Sequence, residues 1–393
     1  MQLNMEMPGR RSRTDHVLIA SIMILAALGL ITLFSASDAY SRRLAEMDRA
    51  AGLGLEERNS TLFEDQLVHF FVGALCCVAA SLLPVRMIRS LVPFAVALAA
   101  IFCILTFVPG IGDARNGAAR WIRVGSFNYQ PSELVKLALP LYLAHIFDKK
   151  RGELDSFVRG ILPPALILTL FFLLIYAQNN FSTALFITLN GLLIFYMAGV
   201  KFRYFLGAGV ILIPLSVVFV LTREHRLIRL ISYLWPDQDP LGADYQVKAS
   251  LISVASGGLW GKGLGRGTRK ISSVPEVHSD FIFSSYTEEL GFAGVLLFFT
   301  MFLVFAYRGY RAALRCADPF RRLLGISLVT IIVSQALINI AVVAGALPVT
   351  GMPLPFFSHG GSSLVTTLSM AGLIVNISRN TAPPAPGEEA LHV

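Results

Sequence analysis

A carboxylate and an imidazole stand directly before an apolar run near residue 280. The run PEVHSDFIF places His278 and Asp280 at the mouth of the hydrophobic segment that follows. A carboxylate at the edge of a membrane-spanning segment is costly unless it is hydrated or paired, and such residues mark functional sites. Nearby cations favour the ionised form, so Asp280 is a candidate general base near neutral pH. Asp is also a strong helix-capping residue, and the two roles are compatible.

Two adjacent carboxylates, Glu288 and Glu289, follow two turns further along in the run TEELGFAG. Neighbouring residues of a helix point to different sides, so at least one of the two needs a partner inside a bundle. They are too close together, and on the wrong faces, to be the acid and base pair of a glycoside hydrolase. We predict a structural ion pair or a polar group of an interior site, with Glu289 as the candidate substrate contact.

A second polar cluster opens another predicted helix. The run NGAARWI carries Arg120 and Trp121, and the run QPSELVK carries Glu133 and Lys136. Glu133 and Lys136 are three residues apart on one helix face, and inside a membrane each needs the other, so we predict a buried pair. Arg120 is a candidate for holding a substrate phosphate or a lipid headgroup. Trp121 is either a substrate contact or an interfacial belt residue.

A glycine-rich, basic segment, SGGLWGKGLGRGTRK at residues 256–270, precedes this carboxylate region. Glycine frees the backbone to bring N–H groups close to an anion, and Lys262 and Arg266 add charge for phosphate. The pattern contains no Walker A motif, and a flexible solvated loop explains it equally well.

The segment LPVTGMPLPFFSHGGSS at residues 347–363 is rich in Pro and Gly yet apolar. This pattern is typical of a re-entrant or surface-lying loop that lines a cavity. Ser358 is a candidate substrate contact. Ser362 and Ser363 are candidate caps of the last helix, whose N-terminus favours an anion. Together these segments predict a cavity lined with cations and one or two carboxylates.

The composition indicates the class of protein to which these polar residues belong. Of 393 residues, 55% are hydrophobic and 15% are charged, and the mean hydropathy is +0.65. Soluble domains carry about 25% charged residues, so this chain is predicted to be an all-α polytopic membrane protein of about ten helices. The net charge of +8 is explained by retention of inner loops rather than by a nucleic-acid partner. The four cysteines suit neither a disulfide framework nor a zinc site.

The chain contains ten apolar stretches, which form one membrane domain between two terminal segments. Residues 1–16 are a predicted cytoplasmic segment, 17–380 the membrane domain with a long external loop at about 222–281, and 381–393 a disordered cytoplasmic tail. The first stretch exceeds the length of a signal peptide core, which favours a retained anchor over cleavage. With both termini inside, the inner loops hold most Lys and Arg, as the positive-inside rule requires. The stretches are 17–35, 66–84, 90–109, 132–147, 160–177, 182–200, 204–221, 282–307, 323–346 and 362–377.

These polar segments resemble the SEDS family of shape, elongation, division and sporulation proteins, typified by FtsW and RodA. The matching runs are NGAARWI with QPSELVK, DPLGADYQVKASLISVASGGLWGKGLG, PEVHSDFIFSSYTEELGFAG and LPVTGMPLPFFSHGGSSL, and the likeness covers nearly the whole chain. The chain departs from the family pattern at Asn180, where relatives usually carry a carboxylate, and at His359, where Tyr is usual. Neither change touches Asp280.

The resemblance implies a peptidoglycan glycosyltransferase that polymerises lipid II outside the bacterial inner membrane, with Asp280 at the position of the catalytic carboxylate. It further implies a class B penicillin-binding protein (FtsI- or PBP2-like) as partner, other divisome proteins, and undecaprenyl-pyrophosphate-linked glycan as substrate. A divalent cation (Mg or Mn) is a possible cofactor and an organic cofactor is not expected. The chemistry of phosphate binding adds Arg120, Lys136, Lys262 and Arg266 as candidate cations.

Two choices stay open at this stage. The ending GLIVNISRN is more similar to the division branch of the family, whereas VTGMPLPF is as similar to the elongation branch, and we favour division. A lipid II flippase and a non-catalytic division scaffold are the alternatives to an enzyme. A flippase predicts a site near the middle of the membrane with access to both leaflets, whereas the polar motifs here cluster near one face.

Overall fold

The computed structural model describes residues 14–50, 61–115, 118–124, 127–222, 224–235, 243–267 and 279–379. The predicted role of His278 and the predicted disorder of residues 381–393 lie outside the described residues.

Within these ranges the chain forms twelve α-helices, one small antiparallel sheet, a 3₁₀ turn (Arg151–Glu153) and a π-helical turn (Phe157–Ile161). The helices are α1 (His16–Ala50), α2 (Thr61–Leu82), α3 (Val85–Leu105), α4 (Pro131–Lys149), α5 (Leu162–Ala177), α6 (Phe181–Met197), α7 (Phe202–Leu221), α8 (Glu224–Leu234), α9 (Ala243–Ser256), α10 (Ile282–Leu314), α11 (Pro319–Val343) and α12 (Gly361–Ser378). The strands are β1 (Gly112–Arg115), β2 (Ala118–Val124) and β3 (Phe127–Tyr129), in the order β1-β2-β3.

The predicted polytopic helical fold is confirmed. Among the described residues, eight helical segments are long and apolar enough to cross a membrane, in α1, α2, α3, α5 with its π-helical turn, α7, α10, α11 and α12. The other two predicted stretches are helical as well. α6 is apolar but only 17 residues long, and α4 has 19 residues but carries charged side chains.

The bundle has two chemically different ends. One end holds the three strands, the 344–360 loop and Asp280, and we call it the sheet end. We call the other end the opposite end. There Asp15, just before α1, pairs with Arg308 of α10 (2.7 Å), and Arg89 of α3 pairs with Asp148 of α4 (2.7 Å). Both ends of the described chain, residues 14 and 379, therefore lie at the opposite end, as an even number of crossings requires.

Glycines bring α2 and α12 into close contact. A Cβ on Gly372 would lie 2.3 Å from the carbonyl oxygen of Cys77, and one on Gly361 would lie 2.1 Å from the His69 ring. Small residues let helix backbones approach, which is how helices associate where the surrounding lipid offers no hydrophobic driving force. Asn376 closes the far end of this pair by donating to the carbonyl oxygens of Ala80, Ser81 and Leu83.

Three local elements differ from the sequence prediction. The mixed charge of residues 36–65 predicts a solvated loop, but residues 36–50 continue α1 as a helix, because no Pro or Gly interrupts them. The 110–131 segment contains the sheet, so the fold is not purely helical. The amphipathic helix α8 (EHRLIRLISYL) lies in the long loop and was not anticipated.

The short interruption QNN between the apolar stretches 160–177 and 182–200 predicts a tight helical hairpin, and this prediction is confirmed. The connection at residues 178–180 is a tight hairpin between α5 and α6, with Asn179 in the left-handed region at φ 59°. The amphipathic stretch 245–252 belongs to α9, whose small residues Ala249, Ser250 and Ser253 face the protein. The Ser250 hydroxyl donates to the carbonyl oxygen of Val343 at the end of α11 (3.0 Å).

Candidate functional site

Asp280 lies two residues before α10, half-buried at the sheet end. Asn339 of α11 donates one hydrogen bond to the Asp280 carbonyl oxygen and another to that of Met352, each 2.8 Å. The Ser279 hydroxyl donates to Asp280 Oδ1 (3.0 Å). The predicted capping role is wrong, because the N-cap of α10 is Phe281 and carries no side-chain cap bond. The backbone at Asp280 is therefore fixed by Asn339, and the half-buried carboxylate accepts from Ser279.

The 344–360 loop forms the wall beside Asp280. Its apolar side chains Met352, Leu354 and Phe357 are buried, as expected of a re-entrant loop inside a bundle. Gly351 is in the left-handed region (φ +72°), and a Cβ there would lie 3.5 Å from Asp280 Oδ2. The positive φ accounts for glycine at this position, and the distance places the loop in contact with the carboxylate.

The predicted buried pair is confirmed and reaches the same loop. Lys136 is 2% exposed, and its Nζ donates to Glu133 Oε1 (2.7 Å) and to Gln335 Oε1 (2.9 Å). Gln335 then donates through Nε2 to the carbonyl oxygen of Pro353 (2.8 Å). A charge on α4 is thus linked through α11 to the wall of the site. Both ions are buried, so their partners are required to offset the loss of hydration.

A cavity of about 370 Å³ opens at this end between the 178–180 hairpin, α6, α8 and the 344–360 loop. Arg120 of β2 lines it and donates to the carbonyl oxygen of Asn179. Thr350 and Met352, which flank Gly351, line it on the side of Asp280. Trp121 is not among the lining residues, since successive residues of a strand face opposite sides. Arg120 thus lines the cavity, Asp280 lies behind the loop wall formed by residues 350–352, and Trp121 is outside.

Arg229 of α8 is a site residue that sequence reasoning missed. It lines the 370 Å³ cavity and also a second cavity of about 240 Å³, which contains Lys248 of α9. Leu347 and Val349 of the loop line both cavities and separate them. The available signal was the strong amphipathic pattern of residues 224–234, which predicts a helix at the membrane surface.

The described part of the glycine-rich segment, residues 257–267, is bonded to the rest of the protein. Lys262 N donates to the carbonyl oxygen of Glu288 and Gly263 N to that of Glu289, each 3.0 Å. Gly265 N donates to the Ser35 hydroxyl (3.1 Å). These bonds join the segment to a kink of α10, where Gly291 has φ 62° and ψ −160°. These three amides are therefore not available for an anion, and residues 268–270 lie outside the described residues.

Glu288 and Glu289 take separate partners, as their adjacent positions predicted. Lys262 Nζ donates to Glu288 Oε1 (2.6 Å), whose side chain is 1% exposed. The Ser35 hydroxyl of α1 donates to Glu289 Oε1 (2.7 Å). We therefore assign Lys262 and Glu289 to holding the segment 257–267 against α10 and α1, in place of the predicted substrate contacts. Arg266 is exposed beside them and does not line either cavity.

We expect Gly261→Ala to destabilise this contact by about 3 kcal/mol. Gly261 has φ +76°, and an added Cβ would lie 2.1 Å from the carbonyl oxygen of Glu289, so overpacking and left-handed strain add together. Gly265→Ala is the matched control, since Gly265 has φ +77° with nothing within 4 Å and should cost only about 1 kcal/mol. Thermal unfolding of the purified chain in one detergent measures both. Equal losses for the two variants would contradict the packing argument.

The two predicted serines serve the loop and the last helix. The Ser358 hydroxyl is 4% exposed, accepts from Leu354 N (2.7 Å) and donates to the carbonyl oxygen of Ser279 (2.6 Å). It therefore positions the loop rather than a substrate. Ser362 is buried in the first turn of α12, but the N-cap is Gly360 and has no side-chain cap bond, so the capping prediction is wrong. The Gly360 amide bonds Gln66 of α2 instead (3.3 Å).

A resident metal site does not emerge from the part of the chain that the structure describes. No group of three or more His, Cys, Asp or Glu side chains there could hold a metal ion.

The sequence matches known proteins over nearly its full length. Residues 15–382 match the FtsW, RodA and SpoVE family, described as cell cycle proteins. The probable peptidoglycan glycosyltransferase FtsW of Geobacter metallireducens is 35% identical over 368 residues, covering 93% of this chain and 95% of that protein. Stage V sporulation protein E of Bacillus subtilis is 34% identical over 374 residues, covering 95% and 99%.

Solved structures share the fold. A chain from a peptidoglycan synthase complex, described as coordinating polymerization and crosslinking, has a TM-score of 0.73 at 26% identity and covers 93% of this chain and 98% of its own. The rod shape determining protein RodA of Thermus thermophilus has a TM-score of 0.65 at 24% identity, with coverage of 94% and 98%. The second likeness supports the architecture alone.

Proposed function

Because this chain belongs to the SEDS family of FtsW, RodA and SpoVE proteins and is an FtsW-type peptidoglycan glycosyltransferase, we propose that it polymerises lipid II with Asp280 as its general base. The observation that carries the proposal is the position of Asp280. Asn339 bonds its backbone carbonyl oxygen, and the half-buried side chain lies next to the loop that walls the cavity lined by Arg120.

The reaction needs one base and charge stabilisation. The 4-hydroxyl of the acceptor sugar attacks the anomeric carbon of the donor, and its proton passes to the Asp280 carboxylate. The bond between that carbon and the lipid pyrophosphate breaks, and the electron pair leaves on the pyrophosphate oxygen. A pyrophosphate leaves without a protein acid, so a single carboxylate is sufficient for inversion. Fixed cations near the leaving group stabilise the negative charge as it develops.

Arg120 and Arg229 are the cations best placed for the leaving group. Both line the 370 Å³ cavity, whose other walls include the apolar residues Leu189 of α6 and Ile338 of α11. A planar guanidinium binds phosphate oxygens in pairs, which suits a pyrophosphate at the polar rim. The apolar walls suit the first isoprene units of the carrier lipid. The second cavity, with Arg229 and Lys248, offers a comparable site for the other lipid substrate.

We expect Arg120→Gln to raise the KM for lipid II by about tenfold or more, because a charged hydrogen bond contributes roughly 1.5–3 kcal/mol. The variant should also lower kcat, because Arg120 is proposed to stabilise the charge that develops on the leaving group as well as to bind the pyrophosphate. Arg123→Gln is the control, because Arg123 lies on the same strand and is exposed but does not line the cavity. Initial rates measured over a range of lipid II concentrations give kcat and KM separately. A fall in kcat with unchanged KM would contradict a binding role.

A divalent cation, Mg or Mn, has no set of protein ligands among the described residues. Mg²⁺ is commonly bound through substrate phosphates and water with only one or two carboxylates. We propose that any such cation arrives mainly on the pyrophosphate, while the arginines provide the charge that the protein itself supplies.

The sheet end is proposed to face the outside of the inner membrane, with both termini in the cytoplasm. Lysines and arginines concentrate at the opposite end, as the positive-inside rule requires of cytoplasmic loops. The residues at that end are Arg86, Arg89, Lys149, Lys150, Arg151, Arg159, Lys201, Arg203, Arg308, Arg311, Arg315, Arg321, Arg322 and Arg379. Asp280 and both cavities would then meet lipid II in the outer leaflet.

The proposed partner is a class B penicillin-binding protein, with other division proteins around it. The similar solved chain belongs to a peptidoglycan synthase complex that couples polymerization to crosslinking, which supports a partner of this kind. Several relatives are named FtsW, which supports division rather than elongation as the context.

Polymerisation of purified lipid II by the full chain with its cognate partner tests the proposal. Glycan strands resolved by gel electrophoresis from the complex, and none from the partner alone, are the expected result. Lipid II translocation in vesicles without any polymer would support the flippase alternative. Polymer from the partner alone at the same rate would support the scaffold alternative.

A further inference from the structure

A second charged cleft lies at the opposite end of the bundle, away from Asp280. The ends of α4 and α6 meet the start of α11 around a cavity of about 110 Å³, which we call the α4–α6–α11 cleft. Between Pro319, at this cleft, and Asn339, at Asp280, α11 rises about 30 Å at 1.5 Å per residue. The cleft therefore takes no part in the proposed reaction.

The floor of the cleft is apolar and its rim is basic. Met197, Leu323 and Ile326 supply the apolar surface, and Arg151 and Arg322 stand on the rim. Met197 is four residues from Leu193, so the two share a face of α6. Leu193 is exposed on the outside of the bundle, which extends the apolar surface from the cleft towards the lipid.

The one carboxylate in the cleft is already neutralised. Asp148 is bonded by Arg89 Nη1 (2.7 Å), while Arg89 Nη2 bonds Asp318 (2.9 Å) and its guanidinium stacks on Phe320 at 4.5 Å. Because Arg89 already bonds Asp148, this carboxylate competes only weakly with a bound anion for the two rim arginines.

The two rim arginines remain available for an anion. Arg151 is 52% exposed and reaches Asp148 only at 3.7 Å. Arg322 is exposed and forms no ion pair within the part of the chain that the structure describes. Arg151 and Arg322 thus place two guanidinium groups at one opening, and guanidinium groups bind phosphate oxygens through charged hydrogen bonds.

We propose that the α4–α6–α11 cleft binds the headgroup of an anionic phospholipid from the adjacent leaflet. The phosphodiester lies between Arg151 and Arg322, and an acyl chain continues over Met197 and Leu193. Basic pockets between helices on the cytoplasmic side recognise anionic headgroups in this way. A volume of about 110 Å³ admits the phosphate but not the whole lipid, so the tails must lie on the lipid-facing surface. A free phosphate shares the headgroup chemistry but lacks the apolar contacts.

The bound lipid braces the helices that hold the site. α4 carries Glu133 and Lys136, and α11 carries Gln335 and Asn339, which together anchor the 344–360 loop. A ligand that joins the far ends of α4, α6 and α11 stabilises the folded bundle by mass action.

Titration of the full-length chain in neutral detergent with dioleoyl phosphatidylglycerol, dioleoyl phosphatidylcholine or inorganic phosphate tests the proposal. Native mass spectrometry counts bound lipid, and thermal unfolding follows stabilisation. Phosphatidylglycerol should bind with a saturable stoichiometry of one at the cleft and raise Tm. Arg151→Gln with Arg322→Gln should weaken that binding about 30-fold, from roughly fivefold for each arginine near a membrane surface.

Arg315→Gln is the matched control, since Arg315 is exposed at the same end but does not line the cleft. An equal loss of binding in this variant would overturn the site. Equal affinity for phosphatidylcholine would overturn the charge argument, and equal affinity for inorganic phosphate would make the cleft a free-anion site. If the double variant does not fold, the three-ligand comparison on the wild-type chain still decides the proposal.

Discussion

Asp280→Asn should reduce lipid II polymerisation by about 10²- to 10⁴-fold, the contribution of a positioned general base. Asn has nearly the same size and retains a hydrogen-bond acceptor for Ser279, but it cannot take the proton of the attacking hydroxyl. The Asn339 bonds run to backbone oxygens and survive the change, so the fold and the cavity stay intact. Glycan formed per minute by the complex with its partner is the measurement.

Asp113→Asn is the matched control for this change. Asp113 lies on β1 at the same end of the bundle, half-exposed and opposite Trp121, outside both cavities. The control should polymerise at the wild-type rate. Lipid II binding by the Asp280 variant should also stay near wild type. Equal polymer from the Asp280 variant and the wild type would remove Asp280 as the base.

Lys136→Met should lower the stability of the folded chain by about 3–5 kcal/mol, the cost of leaving one member of a buried ion pair without its partner. Methionine fills the side-chain volume as far as the ε position and lacks only the Nζ atom, so most of the loss is electrostatic rather than a cavity. Glu133 would remain buried beside it, and Gln335 would lose the donor that orients it towards Pro353. We therefore expect both a lower Tm and weaker polymerisation, because the wall beside Asp280 loses an anchor.

Two further variants separate charge from packing at this position. Glu133→Gln together with Lys136→Met removes both ions and should recover much of the stability that the single change loses. Lys150→Met removes a surface pair with the same spacing, Lys150 to Glu153 at 3.2 Å, and should cost less than about 1 kcal/mol. A double variant as unstable as Lys136→Met would assign the loss to packing instead.

Much of the architecture follows from local sequence. Runs of about 20 apolar residues cannot remain in water, so the spans were predictable, as was the hairpin at 178–180. The Glu133 and Lys136 pair was predictable because its three-residue spacing sets one helix face. Asp280 was singled out by its place at the mouth of an apolar run, before any contact was known.

The site itself required the tertiary structure. Asn339 bonds residues 59 and 13 positions away, and Arg229 of α8 lines the same cavity as Arg120 of β2 although the two are distant in sequence. The glycine content of residues 257–267 predicted an anion site, yet backbone amides of this segment donate to carbonyl oxygens of α10. The sequence alone determined which segments enter the membrane and which residues carry charge. Only the packed bundle decided which polar groups satisfy each other and which remain for a substrate, because buried hydrogen bonds join residues distant in sequence.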